Sequence, residues 1–261
     1  MSEVKITYIG GPTALIEVAG LRLLTDPTFD APGRKYNFGW GTSSVKLGGP
    51  ALSAAQLGPI DAVLLSHDQH DDNLDDAGRA MLPESKRVIT TPAGEKRLGG
   101  NAAGLAPWGS TVLSAADGTE VRITATPCRH GPPLSRPIVG EVIGFLLEWE
   151  GQREGALWIT GDTVWFGGLA EVAERFDVGT AIVNLGGVRF PITGPARYTM
   201  NAAEAVRVCR EFNLTNLVPL HFEGWKHFRQ GPDEVKSAFA AAGIEGQVRW
   251  LTPAEPVAIE V

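Results

Sequence analysis

Residues 61–75 read Asp-Ala-Val-Leu-Leu-Ser-His-Asp-Gln-His-Asp-Asp-Asn-Leu-Asp. An unbroken apolar run, residues 62–65, ends at Ser66 and releases two histidines and a string of acids. A short apolar run of this kind is a buried strand, and the polar residues after it mark its exit from the sheet. His67 and His70 therefore sit at the rim of a sheet. The same arrangement recurs along the chain, which has five histidines. His130 follows the apolar-rich stretch 121–126 and Pro127; His221 follows residues 217–220. Asp162 follows residues 157–160 and Gly161.

A lone histidine after a strand is ordinarily a packing residue, and Gly-Asp-Thr is a common turn. The coincidence of five such residues at strand ends is what points to a metal. Imidazole nitrogens with a few carboxylates suit Zn²⁺, Mn²⁺, Fe²⁺ or Ni²⁺ better than Ca²⁺ or Mg²⁺. Gly131 and Gly161, beside His130 and Asp162, allow the tight backbone turns that project such ligands.

Outward from this centre, residues 5–9, 14–18 and 21–24 read as short strands separated by glycine-containing turns. Residues 28–59, rich in Gly, Pro and Ser, read as a long surface loop, and loops of that length are more often functional than idle. Residues 74–81 read as a helix, with Asp71, Asp72 and Asn73 as candidate caps. Further strands are expected at 88–91, 121–126, 142–150, 156–160, 180–184 and 217–220, with a hairpin at Gly151-Gln152. Helices are expected at 169–175, 202–212 and 233–242, the second opened by an Asn201–Glu204 capping box. Strands come first in clusters and then alternate with helices. That order suits an α+β chain of two sheets flanked by helices, in one domain over residues 1–261.

Composition narrows the function. Of 261 residues, 43% are hydrophobic and 20% charged, as in ordinary globular proteins. A net charge of -7 disfavours nucleic acid as a partner. Cys128 and Cys209 are too few for a disulfide framework. With no apolar leader and no stretch long enough for a membrane span, the expected location is the cytoplasm.

The chain resembles the metallo-β-lactamase superfamily, and within it the branch similar to L-ascorbate-6-phosphate lactonase. The resemblance runs through residues 13–27, with their Thr25-Asp26-Pro27 turn, and then 66–75, 126–130, 161–163, 199–200 and 219–221. It implies a four-layer αβ/βα sandwich with one or two divalent transition metals in a cleft at the sheet ends. The family signature, H-x-H-x-D-H, is altered here. One inserted residue gives His67-x-x-His70, Asp72 takes the aspartate position, and Asn73 replaces the final histidine. The resemblance implies a first metal position of His67, His70 and His130 with Asp162. Its second position, Asp72, Asp162 and His221, is one histidine short, so one tightly held metal and a weak or absent second are expected.

The implied activity is hydrolysis of a small-molecule, ester-type substrate by a metal-activated water, with a lactone favoured. A phosphodiesterase and a non-catalytic metal-binding protein are the alternatives. Asp72 is the candidate proton acceptor if it is not itself a ligand, and His227 the candidate general acid, or else a packing residue beside Trp225 and Phe228. Asp26 is expected to support the site from behind, and Cys128 to be a small core residue. Trp40, Trp165, Phe166, Trp225 and Phe228 are expected around the cleft, and Arg129, Arg189 and Arg197 are candidates for meeting an anion.

Overall fold

The computed structural model describes residues 3–261, and two sheets dominate it. The first runs, edge to edge, through Pro256–Glu260, Glu3–Gly10, Thr13–Val18, Leu21–Thr25, Ala62–Leu64, Val88–Thr90 and Ala102–Gly104. The second runs through Asn216–Leu220, Val178–Asn184, Ala156–Ile159, Ile143–Trp149, Glu120–Pro127 and Ser110–Ser114. Each sheet is antiparallel on one side and parallel on the other.

Period-two alternation divides the side chains between layers. Ile6, Ile16, Leu23, Leu64 and Ile89 face inward from the first sheet and meet Ile123, Phe145, Leu157, Ile182 and Val218 of the second. Leu15, Leu24, Val63 and Val88 face the other way, onto Leu57, Leu74 and Met81. On the far side, Leu146, Trp158, Ala181 and Leu217 pack against Leu169, Val172, Ala205, Val235 and Phe239 from the helices Gly167–Arg175, Ala202–Glu211 and Pro232–Ala242. Helix, sheet, sheet and helix make four layers, as expected of an αβ/βα sandwich. Among the described residues, no helix is long and apolar enough to cross a membrane.

Two local expectations are corrected. Residues 28–59 are not all loop: they hold a small hairpin, Lys35–Asn37 with Ser43–Val45, and a single helical turn, Ala54–Leu57. The helix expected at 74–81 begins at Asp76, and its cap is Asp75 rather than Asp71, Asp72 or Asn73. Asp75 is buried and accepts the amides of Gly78, Phe29 and Asp30 at 2.8, 2.9 and 2.8 Å. It also meets Lys46 Nζ at 2.7 Å, both side chains being buried. This carboxylate pins the 28–59 segment over the histidine-bearing loop.

Gly78 lies inside that short helix, where alanine would ordinarily be the better helix former. A Cβ there would stand 1.8 Å from the carbonyl oxygen of Pro27. Gly78→Ala is therefore expected to destabilise by about 1–3 kcal/mol through overpacking. A urea midpoint equal to or above the parent's would contradict this.

Candidate metal centre

The polar residues at the strand ends converge on one rim, between the two sheets. His67 and His70 come from the loop after Ala62–Leu64, and His130 from the segment after Glu120–Pro127. His67 Nε2 stands 3.0 Å from His70 Nδ1, which stands 3.2 Å from His130 Nε2. The outer nitrogens are fixed: His67 Nδ1 lies 2.8 Å from Ser66 Oγ, and His130 Nδ1 lies 2.8 Å from the carbonyl of Tyr198. A carbonyl only accepts, so His130 carries its proton on Nδ1 and turns the lone pair of Nε2 toward the cluster. Burial, reinforced by His70 and His130, drives His67 well below the ordinary imidazole range. Burial with His130 pushes His70 down to about 4. Neutral imidazoles are the form a metal binds.

A second group lies beside the first. Asp72, Asp162 and His221 offer ligand atoms within 4.8 Å of one another, and all three are buried. His221 takes up a left-handed backbone, φ 57°, as soon as Asn216–Leu220 ends, and its amide donates to the carbonyl of Gly11 at 3.1 Å. A non-glycine residue there is strained, and it aims the ring into the rim. His221 Nδ1 is 2.9 Å from Asp162 Oδ1, which also accepts Asn184 Nδ2 at 2.9 Å. His221 Nε2 faces Asp72 Oδ2 across 3.7 Å and, though buried, has no hydrogen-bond partner among the described residues. Burial works against ionisation of Asp72 and Asp162, but the facing histidines outweigh it and hold both carboxyls far below their ordinary range.

The donors fit a metal. Tetrahedral zinc with bonds of about 2.0–2.1 Å sets its ligand nitrogens roughly 3.3 Å apart, close to the 3.0 and 3.2 Å separations here. Three converging imidazole nitrogens, and an orphaned fourth opposite a carboxylate, are what a cation would satisfy.

Around these clusters, His227 is buried, and its Nε2 lies 3.0 Å from Asp72 Oδ2. Gln69 turns away and donates to the carbonyls of Val139 and Glu141 at 2.9 and 3.0 Å. Asn73 points its amide nitrogen at Asp26 Oδ2, 3.4 Å away. Asp26 also accepts the Ser66 amide at 2.7 Å, and burial lifts its carboxyl to about 7 despite that bond. It thus braces the start of the histidine loop. Cys128 directs Sγ at the carbonyl of Thr160, 3.1 Å away, and joins neither cluster.

Comparisons with known proteins show the family. Residues 21–222, more than three-quarters of the chain, match the β-lactamase superfamily domain. The chain belongs to the metallo-β-lactamase superfamily. Over 255 residues, covering 96% of each chain, it is 22% identical to a metal-dependent hydrolase of Caldivirga maquilingensis. A metal-dependent hydrolase of Opitutus terrae is 27% identical over 263 residues, 98% of this chain and 100% of the other. Among solved structures, a possible metal-dependent hydrolase from Veillonella parvula superposes with a TM-score of 0.81 at 20% identity, over 98% and 99% of the two chains. An isothiocyanate hydrolase from Delia radicum gut bacteria gives 0.79, also at 20% identity, over 98% and 100%.

Within this superfamily member, several expected cleft residues lie elsewhere. Trp165 packs beneath Arg207, and Arg197 pairs with Glu204. Arg189 is exposed, and Arg129 donates to the carbonyl of Trp165 at 2.9 Å. Trp225 is buried 5.8 Å from the His227 ring, and Phe228 lies edge-on to His221 at 4.9 Å. Three aromatics that do face the cleft, Phe38, Phe190 and Tyr198, are missing from the sequence reading. Phe38 comes from the small hairpin, and the other two from the Gly- and Pro-containing segment 185–200. Neither segment has the periodicity that would have singled them out.

Proposed function

We propose that this protein is a metal-dependent hydrolase that opens a small ester-type substrate, a lactone being the simplest. The observation that carries the reading is the convergence of His67 Nε2, His70 Nδ1 and His130 Nε2 at spacings a single transition metal matches. These three residues would hold the tighter metal. Asp72, Asp162 and His221 would hold a weaker second one, because Asn73 turns to Asp26 and leaves that group a single imidazole.

When bound, the metal supplies Lewis acidity and brings the pKa of a water to about 7. The chain's own residues supply the rest. Where the second position is empty, Asp72, kept ionised by His227 and His221, orients the attacking water as a hydrogen-bond acceptor. His227, 3.0 Å from Asp72 and walled by Phe38 and Phe190, stands where a proton can pass to the leaving oxygen. Asn184 and His221 orient Asp162, and Ser66 and the Tyr198 carbonyl orient the imidazoles.

The test begins with metal content, by elemental mass spectrometry, of the dialysed parent beside a His130→Ala, Asp162→Ala double variant. About one equivalent in the parent, lost in the variant, is the expected result. Two retained equivalents would overturn the weak second position. A parent that takes up none of Zn²⁺, Mn²⁺, Fe²⁺ or Ni²⁺ would overturn the hydrolase reading. Turnover of simple lactones against bis-para-nitrophenyl phosphate then separates a lactonase from a phosphodiesterase.

A further inference from the structure

Directly above the histidine cluster lies a cavity of about 160 Å³ whose floor is His70, Asp72 and His130. Its walls are Phe38 and Trp40 from the small hairpin, Ile138 from the turn Arg136–Val139, and Val188, Phe190 and Tyr198 from the 185–200 segment. The aromatic walls brace one another: Phe38 lies 5.8 Å from Phe190, and Phe190 lies 5.9 Å from Tyr198. Among the described residues, no lysine or arginine lines the cavity, and its one acidic residue is Asp72. Nearby cations are already engaged or face away. Lys46 is buried against Asp75; Arg129 lines a neighbouring cleft and binds a carbonyl; Arg136 pairs with Glu141.

The surface around the mouth is apolar too. Trp40 is 74% exposed, Ile138 55% and Ile192 66%, and Leu134, at the mouth of the neighbouring cleft, is 95% exposed. Large hydrophobic side chains exposed together mark a binding site rather than ordinary surface.

We infer that the enzyme takes a substrate carrying an uncharged, phenyl-sized apolar group, seated between Phe38, Phe190 and Ile138 with its reacting carbonyl over His70 and His130. Size sets the upper limit: an apolar cavity of roughly 150 Å³ accommodates one benzene ring. Charge sets the polarity. The walls offer no lysine or arginine to an anion, so a charged group has a partner only at the floor, and the group that faces the walls is apolar. The inference rests on the hydrolase reading for the bond that reacts, but not for the group that is bound.

The test uses γ-lactams, which share the shape of lactones and resist hydrolysis, titrated calorimetrically into the metal-loaded protein. Phenyl-substituted and unsubstituted γ-lactams are compared. The phenyl compound is expected to bind about 10-fold or more tighter than the unsubstituted one, as burial of an aromatic ring implies. Phe190→Ala and Ile138→Glu should each reduce the phenyl preference severalfold, and Ile138 is exposed enough for its variant to fold. Equal binding of the phenyl and unsubstituted lactams overturns the inference. Phenyl preference without turnover of any neutral ester or lactone would sink the hydrolase reading and leave the cavity assignment standing. Turnover without phenyl preference would do the reverse.

Discussion

Asp162→Ala is expected to lower turnover by at least about 100-fold and to abolish uptake of a second metal when excess metal is supplied. Loss of a residue that merely orients a ligand already costs 10–100-fold in affinity or activity. Asp162 is more central than that. It offers a ligand atom to the cluster with Asp72 and His221, and its Oδ1 also holds the His221 ring and the Asn184 amide. Removing it leaves His221 without its anionic partner. Burial would then press that ring toward the neutral form with only Asp72 and Asp26 left to oppose it, whereas Asp162 now contributes most to raising its pKa. Asn184→Ala is the matching control: it removes one hydrogen bond to Asp162 and leaves every candidate ligand in place, so an intermediate loss is expected. Steady-state kinetics with elemental analysis of each variant decides the matter. Wild-type turnover by Asp162→Ala would remove this residue from the mechanism.

The second large effect concerns stability alone. Trp158 is fully buried on the helix-covered face of the second sheet and stacks on Phe212, with ring centres 4.8 Å apart. Its indole N–H donates to Thr126 Oγ1 at 3.0 Å. Trp158→Ala is expected to cost about 3–5 kcal/mol through lost packing and the cavity left behind. In a chain of this size that lowers Tm by on the order of 10 °C. The outward face of the sheet is not the rim, so metal content below the transition should match the parent's. Urea unfolding with an unchanged m-value and a lower midpoint would be the signature. A loss below about 1 kcal/mol would show that the helices close over the gap.

Much of this arrangement was legible in the sequence because strand ends are legible. Runs such as 62–65 and 217–220 are apolar throughout, and in the structure both of their faces are covered. The histidines that follow inherit their place from those strands. The edge strands Ser110–Ser114 and Pro256–Glu260 escaped notice for the opposite reason. Each is largely half-exposed or exposed, so no apolar run announces it. Asp75 was missed as the helix cap because four nearby residues, Asp71, Asp72, Asn73 and Asp75, can all accept an amide. Only tertiary contacts decide between them: Asp72 faces His227, Asn73 faces Asp26, and Asp75 is left for the helix. The cavity walls were obscure because Phe38, Phe190 and Tyr198 stand in short irregular segments that obtain their order from Asp75, Lys46 and one another.

Each candidate metal-ligand group draws on both sheets. His67, His70 and Asp72 leave the first, while His130, Asp162 and His221 leave the second. Neither half-sandwich holds all three residues of either group. A metal loaded at the rim therefore acts as a rivet across the seam between two separately hydrogen-bonded layers. Its binding energy is released only after the layers dock, and it must be surrendered before they part. During synthesis, full loading waits for His221 to emerge. Afterwards, layers bridged by bound metal are expected to part more slowly, so the loaded protein would gain persistence against proteases as a rate and not only as an equilibrium.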